Sequence, residues 1–224
     1  MGTLLLKRIQ AATGILYALV GLTALLFVTV PPAAGAPARE VATFYTVHGS
    51  AFMVGGYLCI AGEVFYLWFI AYLRSVLARA EGGTHQLSTL SFGMGVAVSA
   101  ISFAVAGIGQ TLPRVADDPS NLQILHILSD IADTGFTTIL IPATLLVGAA
   151  SVVMLRTAVL PRWIGIFGLV IAVVQLLGSA SLAVMPGSFL TSGGLSTVVA
   201  YLSLLLWLVV VSATLVVKVD AVGV

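Results

Sequence analysis

Ser50-Ala-Phe-Met-Val-Gly-Gly-Tyr-Leu-Cys-Ile-Ala-Gly-Glu-Val-Phe-Tyr-Leu-Trp-Phe-Ile-Ala-Tyr-Leu73 is an apolar run broken by one charge, Glu63. As a helix rising 1.5 Å per residue it reaches ~36 Å, enough to cross a hydrocarbon core of ~30 Å. Five further runs are of the same kind, at about 9–30, 87–110, 134–155, 163–184 and 195–217, each bounded by charges, prolines or glycines. The chain is 60% hydrophobic and 8% charged, and its mean hydropathy is +1.16, values that exclude a soluble globular protein. The pattern predicts an all-α membrane bundle of six transmembrane helices, one domain over 1–224, without internal repeats.

The segments between the runs set the topology. Ala33-Ala-Gly-Ala36 looks like a signal-peptidase site. The apolar run before it is longer than a cleavable signal, so the first span is expected to stay. Pro31, Pro32 and Pro37 then force a loop. Val41 to His48 reads as a helix lying on or entering the outer surface ahead of span 2. Pro142 is expected to kink span 4, and Met185-Pro-Gly-Ser with Gly193-Gly194 to turn the chain between spans 5 and 6. Six spans put both termini on one side, together with Lys7, Arg8, Arg74, Arg79, Arg156, Arg162 and Lys218, against only Arg39 and Arg114 on the other. By the positive-inside rule both termini are cytoplasmic.

Composition also narrows the partners. A formal charge of +1 with no basic run leaves nothing to neutralise a phosphate backbone, so no nucleic-acid partner is expected. The single cysteine, Cys59, excludes an internal disulfide and a cysteine metal cluster. Span 3 is rich in small residues, with a small-xxx-small pair at Gly95 and Ser99 that suits close helix packing, inside the bundle or between copies.

Two places concentrate ionisable groups. Counting back from Arg74, Glu63 lies ~17 Å up, near the bilayer centre. A carboxylate there costs at least ~2.5 kcal/mol, so it must face protein or water, bind a partner or stay protonated. It reads either as a proton donor or carrier, or as a structural group bonded to a neighbour such as Gln175, Ser99 or Ser102. The second place is the outer mouth. His126, Asp130 and Asp133 share one helical face at ~45, ~39 and ~35 Å above Arg156, and His48 and Tyr45 reach ~39 and ~44 Å above Arg74. These groups read as a polar pocket. One zinc set remains open there, His48 with His126 and Asp130, although no metal motif is present and no metal or other cofactor is expected. Tyr57 and Phe65 flank the depth of Glu63 and are candidates to line a binding pocket.

Three stretches, Arg39-Glu-Val-Ala-Thr-Phe-Tyr-Thr-Val-His48, Arg79-Ala-Glu-Gly-Gly83 and Leu155-Arg-Thr-Ala-Val-Leu-Pro-Arg-Trp163-Ile-Gly, resemble a broad family of uncharacterised six-helix integral membrane proteins of bacteria. The resemblance covers most of the chain and implies a multi-pass fold in a bacterial plasma membrane, with no reaction attached. Gly62-Glu63-Val-Phe-Tyr66 and the outer aspartates are, more narrowly, similar to the small integral-membrane terpene cyclases, in which intramembrane acids protonate an isoprenoid.

Two functions follow as expectations. One is a membrane enzyme doing metal-independent acid and base chemistry on a lipophilic small molecule, most concretely isoprenoid cyclisation. Glu63, Asp130, Asp133 and His48 are then its catalytic candidates, and Tyr45, Tyr57, Phe65 and His126 its binding candidates. The other is non-enzymatic: a small permease or proton-coupled module, or a structural subunit of a membrane complex. Membrane lipid is a partner in either case, and span 3 offers a face for self-association.

Overall fold

The computed structural model describes residues 2–27, 31–32, 35–183 and 195–218, and among them every regular element is helical. The elements are α1 (Gly2–Leu25), α2 (Ala38–Glu81), α3 (Gln86–Gly109), α4 (Leu112–Val115), α5 (Leu122–Thr138), α6 (Leu140–Thr157), α7 (Arg162–Ser179) and α8 (Leu195–Lys218). A single 3-10 turn, Pro119–Asn121, leads into α5, and another, Ala180–Ala183, extends α7. Six helical stretches are long and apolar enough to cross a membrane. The end of span 1 at 28–30 and the expected turn at Met185 to Gly194 fall outside the described residues.

The helix expected over Val41 to His48 is present and enters span 2 without a break, because α2 runs from Ala38 to Glu81. Nothing between Val41 and Ser50 lacks an amide hydrogen, and the lone glycine there, Gly49, is a contact point. A Cβ on it would stand 2.8 Å from the ring of Pro113, so the bare backbone lets α4 brace the helix. At ~66 Å, α2 far exceeds the hydrocarbon thickness, and both its ends project beyond it. Span 4 is irregular where Pro142 was expected to kink it. Its two helices, α5 and α6, meet at Ile139, three residues before Pro142, where the Ile139 N–H reaches back to Phe136 O at 3.3 Å instead of completing an α-helical bond. Proline has no N–H to give to residue 138 and its ring crowds that carbonyl, so the break falls where the missing bond would lie.

The spans close into a ring. Helix α1 packs on α2, α2 on α3, α3 on α6, α6 on α7, α7 on α8, and α8 returns to α1. Hydrogen bonds cross three of these seams. Ser91 Oγ donates to Leu146 O at 2.9 Å between α3 and α6, Gln175 Nε2 donates to Ala200 O at 2.7 Å between α7 and α8, and Ser212 Oγ donates to Ala11 O between α8 and α1. That last bond places both ends of the described chain at the same end of the bundle. The basic residues of α1, the last turns of α2 and the end of α8 gather there. The interior of the ring is filled by Phe69, Ile70, Leu73, Leu77, Leu146, Val147, Met154, Trp207 and Leu208, all buried. A second, smaller core of Val41, Tyr45, Leu112 and Leu125 sits at the opposite end, where α4 and α5 cover the start of α2.

Between α2 and α3 the chain turns through Gly82 and Gly83, both with φ of 62°. No side chain of its own caps α3. Glu81 does so from the preceding helix, its two carboxylate oxygens accepting the Leu87 N–H at 2.9 Å and the Ser88 N–H at 2.8 Å.

Candidate functional site

Glu63 is 4% exposed and lies on the inward face of α2, on the stripe that continues through Tyr66, Ile70, Leu73 and Leu77. Three hydroxyls converge on its carboxyl. Ser99 Oγ of α3 donates to Glu63 Oε2, and the hydroxyls of Tyr17 on α1 and Ser102 on α3 stand close to the same group. The cluster extends further. Tyr201 of α8 stands beside Tyr17, and the Tyr17 and Tyr66 rings are 5.0 Å apart, tilted by 44°. Cys59, one turn from Glu63 on α2, lies within electrostatic range of Tyr17, Tyr201 and Glu63. The Tyr66 hydroxyl is fully buried and has no hydrogen-bond partner. Four of the six ring helices thus contribute to one polar centre in the apolar middle of the bundle.

Of the three neighbours the sequence offered to Glu63, Ser99 and Ser102 are in place. Gln175 is elsewhere, tied to Ala200 O and, at 3.3 Å, to Ser203 Oγ. Phe65 packs against the main core, whereas Tyr57 points outward and is 66% exposed. Tyr17 and Tyr201 belong to no motif in the sequence. A depth count would have found Tyr17, since it lies ten residues beyond Lys7, ~15 Å into the bilayer and level with Glu63.

The outer groups form a second, separate assembly. His126 Nε2 and Asp130 Oδ2 pair at 3.7 Å across one turn of α5, and Asp130 Oδ1 accepts the Gly35 N–H at 3.1 Å, which fastens the loop after α1 to α5. His126 Nδ1 is buried without a partner. Tyr45, buried in the smaller core, stands near Ser129 and Asp133. His48 stacks on Phe44 at 5.1 Å, in a cluster of rings with Tyr45 and Phe52. The zinc arrangement left open by the sequence is not assembled. Among the described residues no three His, Cys, Asp or Glu side chains gather closely enough to hold a metal ion, because His48 is turned onto Phe44. Fifteen residues of continuous helix separate Glu63 from His48, ~22 Å along α2. One small substrate cannot touch both groups.

In the loop before α5, Asp118 accepts from the Ser120 hydroxyl at 2.7 Å and its N–H at 2.9 Å. These two bonds hold its carboxyl below the usual aspartate range.

Fold and site together define a polytopic α-helical membrane protein with a carboxyl centre buried inside its helix ring. The chain matches no protein-family model, no curated protein and no solved structure.

Proposed function

We propose that this protein is a proton-coupled membrane module of a bacterial plasma membrane, with both termini cytoplasmic, in which Glu63 takes up and releases the proton. The observation that carries the reading is the convergence of Tyr17, Ser99 and Ser102 on a carboxyl buried in the middle of the ring. Intramembrane acids are costly and mark ion or proton paths. Hydroxyls suit such a path because each both donates and accepts, so a proton can arrive on one side of the carboxyl and leave on the other. Ser102 lies one helical turn from Ser99 towards the outer end, and Tyr66 one turn from Glu63 towards the basic end, so polar atoms extend both ways from the acid.

The test is proton flux in liposomes. Purified protein is reconstituted with a pH-sensitive dye inside and a potassium diffusion potential imposed by valinomycin. Wild-type vesicles should change internal pH faster than empty ones, and Glu63→Gln vesicles should match the empty ones. Equal flux in wild type and variant overturns the proposal.

A second reading, acid chemistry on an isoprenoid-like molecule, is favoured by the Tyr17 and Tyr66 rings beside the acid, since aromatic faces stabilise a cation. Glu63 would add its proton to an alkene, the carbocation would close a ring, and loss of a proton would give an isomer of unchanged mass. The distance along α2 leaves His48 out of that step. A panel of polyprenyl alcohols incubated with wild type and Glu63→Gln, with isomers separated by chromatography, checks it. No isomer formed by wild type, or the same isomers formed by the variant, removes this reading.

A further inference from the structure

The basic end of the bundle carries a groove that the proton centre does not use. It lies between the first turns of α1 and the last turns of α2, with a volume of about 350 Å³. Along α2 it is walled by Trp68, Tyr72, Ser75 and Arg79, residues spaced three or four apart on one face. The opposite wall brings Lys7 and Gln10 from α1. Two cations from different helices therefore line the half of the groove nearer the basic end. Trp68, 43% exposed, lies ~16 Å along the helix from Arg79, towards the bilayer centre. The groove is thus graded, with charge at headgroup level and an aromatic wall below it.

This gradient is complementary to an amphiphile with an anionic head. A phosphodiester matches the ammonium of Lys7 and the guanidinium of Arg79, while Gln10, Ser75 and Tyr72 offer hydrogen bonds to its ester and glycerol oxygens. An acyl chain leaving that head follows the Trp68 side of α2 into the hydrocarbon. A zwitterionic choline headgroup brings its own cation against Lys7 and Arg79 and fits less well. Arg8 and Lys218 sit at the same end of the bundle and strengthen the field that attracts an anion.

We propose that the groove between α1 and α2 is a binding site for an anionic phospholipid, its phosphate held by Lys7 and Arg79 and its chain laid along Trp68.

Native mass spectrometry of the full-length protein tests this, with phosphatidylglycerol or phosphatidylcholine of identical chains added at equal concentration. Wild type should retain phosphatidylglycerol at one per chain and in clear excess over phosphatidylcholine. The double variant Lys7→Gln with Arg79→Gln should lose that lipid about 30-fold. Arg162→Gln, which removes one charge at the start of α7, should retain it as wild type does. If the double variant does not purify intact, each single variant should lose about fivefold. Equal retention of the two lipids by wild type overturns the site, as does an equal loss in Arg162→Gln. Displacement of phosphatidylglycerol by millimolar inorganic phosphate overturns the lipid assignment, because it shows a site for a free anion.

Discussion

Replacing Glu63 by leucine separates a functional acid from a structural one. A charged residue at the centre of a transmembrane helix costs ~2.5–3.5 kcal/mol and a leucine contributes about −0.5, so the exchange favours leucine by ~3 kcal/mol. Against this stand the Ser99 hydrogen bond and, at most, two more from the neighbouring hydroxyls of Tyr17 and Ser102. Inside a membrane bundle each such bond contributes ~0.6 kcal/mol on average, ~2 kcal/mol in all. Moreover, none of the three is stranded. Ser99 and Ser102 can turn to the carbonyls one turn back on α3, and Tyr17 keeps Tyr201. Glu63→Leu should therefore be neutral or raise stability by ~1 kcal/mol. Glu63→Ala, which adds a void in the ring, should lower it by ~2 kcal/mol relative to the leucine variant. Unfolding in mixed dodecyl maltoside and SDS micelles, followed by the emission of the buried Trp207, measures both. A loss above ~2 kcal/mol in Glu63→Leu would refute the reasoning, since it would make the carboxyl a net source of stability with no need of a function. A stable, inactive leucine variant would mean that the chain keeps this group at the expense of its own stability.

Three further outcomes are expected. Gly178→Ala should destabilise the bundle by ~1–3 kcal/mol in the same titration, because its Cβ would stand 2.9 Å from that of Ala200 and force α7 from α8; Gly93→Ala, with open space around it, should change nothing. Glu81→Ala should cost ~1 kcal/mol by uncapping α3 and raise amide exchange at Leu87 and Ser88, read by hydrogen-exchange mass spectrometry. Asp118 binds its proton more weakly folded than unfolded, so its contribution to loop order is full above the ordinary aspartate pKa and disappears as the pH falls through its lower folded value. A carboxyl titration by NMR should place its midpoint below that of the same group in Ser120→Ala, and coincident midpoints would contradict the assignment.

The spans were legible in the sequence because burial in lipid leaves only two options for a backbone, and a run such as 50–73 permits one of them. Glu63 was legible for the same reason, as a group whose cost demands an explanation. What stayed hidden depends on which faces meet. The unbroken course of α2 rests on Gly49 receiving Pro113 from α4, a contact between residues far apart in the chain. Gly95 and Ser99 were equally suited to an internal seam or a contact between copies. In the ring they are internal, Gly95 under Ile70 of α2 and Ser99 on Glu63. His126 and Asp130 pair across one turn of α5, as their spacing allows, but the ring of Phe44 decided where His48 points.

Depth along the bilayer normal proves to be the stronger guide to the site, and spacing within a helix the weaker. Tyr17 and Glu63 share no motif and lie on different helices. Counted from Lys7 and Arg74 they come to ~15 and ~17 Å, and the antiparallel packing of α1 on α2 then brings them together. The same count puts Lys7 level with Arg74 at the basic end, Arg79 one turn or so beyond it and Trp68 below. Polar groups at equal depth in neighbouring spans have strong reason to pair, because hydrocarbon offers them no other partner. Both the carboxyl centre and the basic groove follow from that one constraint, applied at the middle of the bilayer and at its edge.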